Sequence, residues 1–212
     1  MRTENLIEAI SRDAGAPRPW LAGRMASALI AGGAVSYVLF MLGLGMRSDI
    51  VAAFATWRFT LKVALAALSL AAACWAAARL ARPETTARDV GLALAAAPAV
   101  LALAVACELV TLPAAEWSAR AIGTNALVCL TSVPLLSVAP LAAMLAALRV
   151  GAPRSATLAG AVAGLIAGGA GATLYALHCL DDSPLFVAVW YSLAIALVAV
   201  AGAALGRRLL RW

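Results

Sequence analysis

The chain alternates long apolar blocks with short polar connections. Six blocks are nearly free of charge: about Arg24 to Gly45, Phe59 to Ala78, Val90 to Leu112, Thr124 to Leu148, Pro153 to Leu177 and Pro184 to Leu205. Each has roughly the 20 residues a helix needs to cross ~30 Å of hydrocarbon. The pattern predicts an all-α polytopic membrane protein, a bundle of six transmembrane helices. Ahead of the first block the polarity changes. In residues 1–19, Leu6, Ile7 and Ile10 share one narrow face of a short helix, with Glu4, Glu8, Arg12 and Asp13 elsewhere. Thr3 is placed to cap that helix, and Gly15 and Pro17-Arg18-Pro19 stop it. A helix this short is marginal alone in water, so its apolar stripe lies on lipid or docks on a partner. The organisation read from the pattern is a cytoplasmic amphipathic segment over 1–23, the bundle over 24–206 and a basic tail over 207–212.

Composition agrees with the pattern. Of 212 residues, 65% are hydrophobic and 12% charged, where a soluble domain carries about a quarter charged residues. No signal peptide with a cleavage site is visible. The net charge of +6 reads through topology rather than as affinity for nucleic acid. Six spans put both ends of the chain on one side. Of the 16 Lys and Arg residues, that side receives Arg2, Arg12, Arg18, Arg24, Arg79, Arg82, Arg88, Arg149, Arg154, Arg207, Arg208 and Arg211. The other receives only Arg47, Arg58, Lys62 and Arg120. Positive charge marks the cytoplasmic side. The expected location is a bacterial inner membrane with both termini cytoplasmic.

That orientation sorts the reactive side chains by depth. His178, Cys179, Asp181 and Asp182 fall in the outer loop after the fifth span, between two apolar blocks. Cys107, Glu108, Cys129 and Lys62 lie near outer ends of spans, and Cys74 near an inner end. Two outer cysteines can form a disulfide in an oxidising compartment. With His178 and a carboxylate they can also bind a soft or borderline ion such as zinc, cadmium or copper(I). Alternatively they are small apolar filler, and the loop is a solvated connection in which Pro184 opens the next helix. Lys62 and Glu108 either pair inside the bundle, or Lys62 reaches out to the interface. Gly160, Gly164 and Gly168 let helices approach closely, within the chain or across a dimer. Pro98, Pro134 and Pro140 are expected to kink their helices. The four cysteines show no CxxC spacing, and no GxSxG, HExxH or phosphate-cradling loop is present. The expectation is a protein that is not an enzyme.

A Pro-terminated N-terminal helix precedes the six spans. Phe59-x-x-Lys62 opens the second, Cys129 lies early in the fourth, and His178-Cys179-x-Asp181-Asp182-Ser183-Pro184 leads to Phe186 and Trp190-Tyr191. This pattern resembles the NrsF-type membrane anti-sigma factors of Proteobacteria over nearly the whole chain. The resemblance implies that the protein holds an extracytoplasmic-function (ECF) sigma factor at the membrane through its N-terminal segment, with Leu6, Ile7 and Ile10 as the contact stripe. It implies sensing of heavy metals or oxidants by Cys129 and Cys179. A soft metal ion would be a transient signal there, with no obligatory cofactor, no small-molecule substrate and no direct nucleic-acid contact. His178, Asp181, Asp182, Lys62 and Glu108 would support the pair. Cys74 and Cys107 receive no role. The competing classes are a membrane thiol/quinone oxidoreductase built on the same outer cysteines, and a small transporter built on Lys62 and Glu108.

Overall fold

The structure is a computed structural model that describes Glu4 and residues 19–80, 87–149 and 155–210. The stripe of Leu6, Ile7 and Ile10 lies outside the described residues. The elements are α1 (Pro19–Gly43), α2 (Ile50–Phe54), α3 (Trp57–Leu80), α4 (Ala87–Thr111), α5 (Ala114–Ile122), α6 (Ala126–Leu148), α7 (Ala156–Ala176) and α8 (Pro184–Leu209), the last with a π-helical turn over Val187–Tyr191. No strand occurs among the described residues. Six helical segments among them are long and apolar enough to span a membrane. In hydrocarbon a helix satisfies its own backbone polar groups, and that is why long apolar blocks become helices here.

Two boundaries differ from the sequence reading. The helix of the first span begins at Pro19, ahead of Arg24; proline fits a helix start because its missing N–H would be unpaired there anyway. The connection Pro113–Gly123 is largely the helix α5, whose Glu116 and Arg120 pair one turn apart at 3.1 Å. None of its residues is buried.

Many large apolar side chains face outward, among them Leu42 at 82% exposure and Val110 at 87%. Water would make such a surface costly, whereas lipid makes it the expected outer face of a bundle. Helices then associate through close packing rather than apolar burial. The sequence's glycines serve that packing inside the chain. α7 lies against α8 through Gly160, Gly164, Gly202 and Gly206, and a Cβ on Gly206 would stand 2.7 Å from the Cα of Gly160. Gly169 abuts Leu70 of α3, and Gly171 abuts Val133 and Ser137 of α6. The central helix α7 therefore touches three neighbours, and its glycine stripe is an internal seam.

All three expected prolines lie inside helices. Pro140 has no N–H to give the carbonyl of Leu136, four residues back. Ser36 of α1, fully buried, donates to that oxygen at 2.6 Å. Gly32, one turn earlier, permits the approach, since a Cβ there would lie 2.6 Å from the Cα of Pro140.

The buried residues form two clusters, one at each end of the bundle. One joins Met25 of α1, Leu148 of α6, Val162 of α7 and Leu210 beyond α8. The other joins Phe40, Cys129, Tyr175, Cys179, Phe186 and Tyr191. The start of α1 and the end of α8 thus share one end, and the loop 177–183 closes the other.

Candidate functional site

The loop 177–183 is clamped from every side. Its backbone leaves α7 with the N–H groups of His178 and Cys179 both on the carbonyl of Tyr175, each at 3.0 Å. Three of its own carbonyls then find donors on other elements. The Arg47 N–H donates to Leu177 O at 3.1 Å. Lys62 Nζ donates to Cys179 O at 2.7 Å and to Asp181 O at 3.4 Å. The third Lys62 donor takes Asp182 Oδ1 at 2.5 Å. An ammonium has three donors, so this one is fully used. Lys62 is 1% exposed; it neither snorkels to the interface nor pairs with Glu108.

Arg47 holds the same Asp182 carboxylate at 3.0 Å and Asp49 at 2.7 Å. Hydrogen bonding to Asp49 first, then to Asp182, keeps the Arg47 guanidinium firmly charged against the cost of its burial. The same guanidinium holds the Asp49 carboxyl below its usual range. The buried ring of Phe59 lies 5.2 Å from Arg47 Cζ and 5.3 Å from Lys62 Nζ, so both cations also face an aromatic surface.

The remaining acids of the site cap helices other than their own. Asp181 accepts from the backbone N–H groups of Thr124 at 3.0 Å and Asn125 at 2.8 Å, and from Asn125 Nδ2 at 2.9 Å. These groups sit at the start of α6, where Asn125 makes no cap of its own. A carboxylate there meets both unpaired donors and the positive end of the helix dipole. Gly123 makes room: its φ is +60°, and a Cβ would stand 2.8 Å from Asp181 Cγ. Glu108, 1% exposed, does the same for α8. Its Oε2 accepts from Ser183 Oγ at 2.7 Å and from Leu185 N–H at 3.2 Å, and Oε1 faces Arg58 Nη2 at 3.2 Å. His178 places Nδ1 3.0 Å from Gly45 O. A carbonyl only accepts, so Nδ1 carries a hydrogen toward it.

Behind the clamped loop lies a closed, packed chamber of thiol and phenol side chains. Cys129, from the first turn of α6, and Cys179, from the loop, are both 0% exposed and both free thiols. Both belong to one buried cluster. Tyr175 of α7 and Tyr191 in the π turn of α8 complete the wall, with ring centroids 5.8 Å apart, and Phe186 packs on Tyr191 at 6.3 Å. Neither tyrosine hydroxyl has an oxygen or nitrogen hydrogen-bond partner among the described residues; each faces the Cys179 sulfur. The Cys179 thiol donates to Asp181 O at 3.8 Å. Burial pushes that thiol's pKa up, opposed by the nearby Lys62 charge. A protonated, water-excluded thiol is unreactive, so the resting chamber is quiescent.

The structure unites Cys129 and Cys179 but not the other cysteines. Cys107 faces outward on α4, and Cys74 packs at the opposite end of the bundle. Among the described residues no group of three or more His, Cys, Asp and Glu is placed to hold a metal ion. Cys129 and Cys179 are the thiol donors present here, of the kind that suits soft ions. The sequence reading missed Arg47, Arg58, Ser183, Thr124 and Asn125 as clamp residues, and Tyr175 and Tyr191 as chamber residues. Tyr191 carried one visible signal, its place beside Trp190 just after the polar loop; Trp190 ties the π turn to α5 by donating to Ala121 O at 2.9 Å.

No solved structure matches this chain. Two curated relatives align with it along their whole lengths and its own. One is the "Anti-sigma-F factor NrsF" of Caulobacter vibrioides, 36% identical over 216 residues. The other is the "Probable anti-sigma-F factor NrsF" of Azospira oryzae, 33% identical over 213 residues. The family model described as "Negative regulator of sigma F" matches residues 10–212, and with these full-length relatives it establishes that the chain belongs to the NrsF family.

Proposed function

We propose that this chain sequesters a sigma factor of the ECF class at a bacterial inner membrane and releases it when Cys129 and Cys179 react with a soft metal ion or an oxidant. The observation that carries the reading is the chamber: two thiols on separate elements, α6 and the α7–α8 loop, meet in one buried space. A bond between them, or to a shared ion, draws those elements together. Because α7 and α8 interlock along their glycine seam, a shift of the loop between them is carried to the far end of the bundle. There the start of α1 lies beside Leu210, and the segment bearing Leu6, Ile7 and Ile10 precedes α1. That segment is the proposed sigma-binding element, and the excess of Arg on this side supports a cytoplasmic location.

Switching from 1:99 to 99:1 needs about 5.5 kcal/mol of differential binding. Coordination of metal by deprotonated cysteines supplies energies above this. In the resting state Lys62, Arg47, Asp181 and Asp182 hold the loop shut. His178, held by Gly45, presents Nε2 for a third contact if the loop moves.

The test is a reporter fused to the sigma factor's target promoter. Replacing Cys129 and Cys179 with Ser abolishes induction by cadmium ion and by hydrogen peroxide while repression without stress persists. Full induction in the double variant refutes the reading. Recovery of a sigma factor on residues 1–20 as bait tests the docking half separately, and a fusion reporter placing Cys179 on the cytoplasmic side refutes the sidedness on which the model depends.

A further inference from the structure

Tyr175 is 0% exposed and Tyr191 2% exposed, and both hydroxyls stand without an oxygen or nitrogen partner among the described residues, facing only thiol sulfur. Buried donors are rarely left so. Both phenols belong to the same buried cluster as the two thiols, and both face the Cys179 sulfur. Thiol sulfur is a weak acceptor, and the Cys179 thiol turns its own hydrogen to Asp181 O. The chamber therefore holds two strong donors and only weak acceptors beside them. A single oxygen added to sulfur would supply the acceptor they lack.

We propose that Tyr175 and Tyr191 form a two-donor cradle for the oxygen of a sulfenic acid on Cys179, making the chamber a site of one-oxygen oxidation in which Cys129 is the resolving thiol. This rests on the reading of Cys129 and Cys179 as the sensing pair and names its reaction. The oxidant is a hydroperoxide. When the loop opens and admits water, the Cys179 thiol ionises and its thiolate attacks the terminal oxygen, an S–O bond forms and the O–O bond breaks. Sulfur gives up two electrons, and the alkoxide or hydroxide that leaves takes the thiol proton. The sulfur of Cys129 then attacks Cys179, an S–S bond forms, and the hydroxyl leaves with the Cys129 proton as water. The phenols touch the oxygen only while it is present, so they act as positioning donors for the intermediate.

The approach lies through the loop. On its far side a cleft of about 970 Å³ opens between Arg58, Arg120, Gly123, Leu180 and Asp182. The residues between cleft and chamber are those clamped by Lys62 and Arg47. A small neutral oxidant reaches Cys179 when this clamp opens.

The experiment uses full-length protein in native membranes carrying Cys129→Ser, so that the intermediate is not resolved. Hydrogen peroxide is added, dimedone traps sulfenic acid, and Cys179 labelling is read by mass spectrometry. The expected result is labelling at Cys179 that falls about tenfold when Tyr175→Phe or Tyr191→Phe is added, about the worth of one hydrogen bond. Alkylation of Cys179 by iodoacetamide, which adds no oxygen, changes less than about twofold. Phe keeps both rings, so the packing on His178 and Phe186 is retained. Undiminished dimedone labelling in the Phe variants overturns the proposal. So does a parallel fall in labelling and alkylation, which would mark a packing role, and so does an unlabelled Cys179 in the Cys129→Ser protein. The promoter response of the double Ser variant decides the sensing reading independently of each of these.

Discussion

Replacing Asp182 with Asn leaves the Lys62 ammonium buried, at 1% exposure, with two carbonyls and no counter-ion. Arg47 retains Asp49 and is less affected. Removing one partner of a buried ion pair costs about 3–5 kcal/mol, because the other charge is stranded. The Asp182 side chain is 18% exposed, so some water reaches the pair and the lower end, ~3 kcal/mol, applies. That is on the order of a hundredfold in the folded-to-unfolded ratio. Replacing both partners, Lys62→Met with Asp182→Leu, removes the charges together and should recover most of the loss, since an apolar pair of similar volume is often no worse than an ionic one. The assay is denaturant-driven unfolding of the full-length protein in detergent micelles, with the parent, Lys62→Met, Asp182→Leu and their double variant measured as the cycle and Asp182→Asn beside them. Maleimide labelling of Cys179 provides a second readout, and it should accelerate in the Asp182→Asn protein as the loop loosens. A single variant within about 0.5 kcal/mol of the parent, or a double variant whose loss equals the sum of the singles, refutes the clamp as an energetic unit.

Two other measurements probe the packing and the thiol. At Gly164 an added Cβ would stand 2.7 Å from the Cα of Ala199, whereas at Gly33 it would meet nothing within 4 Å; Gly164→Ala should destabilise by about 1–3 kcal/mol by forcing α7 from α8, and Gly33→Ala should be neutral or gain up to about 1 kcal/mol of helix propensity, both read from unfolding midpoints. Burial raises the Cys179 pKa above its ordinary value of 9.0, so the folded state holds its proton where the unfolded state releases it; stability from this group is complete below about pH 9 and declines as pH rises through that value toward the folded pKa. Unfolding measured from pH 7 to 10.5 should show that decline in the parent and a shallower one in Cys179→Ala, and identical slopes would mean that Cys179 is not buried in the folded protein.

Much of the fold was legible in the apolar blocks, because lipid leaves a spanning backbone no choice but to bond to itself. The small-residue stripe in α7 was legible as a seam for the same kind of reason, since only Gly lets backbones meet. The helix α5 was passed over as a loop because Pro113 and Gly123 bracket it, although its Glu116–Arg120 spacing was helical. The site was half legible. Cys129, Cys179 and the acids after them are rare polar residues beside apolar spans, and that rarity singled them out. Tyr175 and Tyr191 are ordinary aromatics by sequence, and nothing local tells an aromatic facing lipid from one facing a thiol.

The sequence by itself determined six spans, the charge asymmetry of their connections and the place of each polar residue along its span, for these follow from length and hydropathy along one dimension. Only the tertiary structure decided the partners. It gave Lys62 to Asp182 and Glu108 to Ser183 and Arg58, and it set Cys129 beside Cys179 while turning Cys107 outward. Depth in a membrane fixes where a side chain lies along the normal, but pairing depends on which helices are neighbours and how each is rotated. Those two quantities come from interlocking contacts such as Gly32 on Pro140 and Gly206 on Gly160, which no single helix specifies.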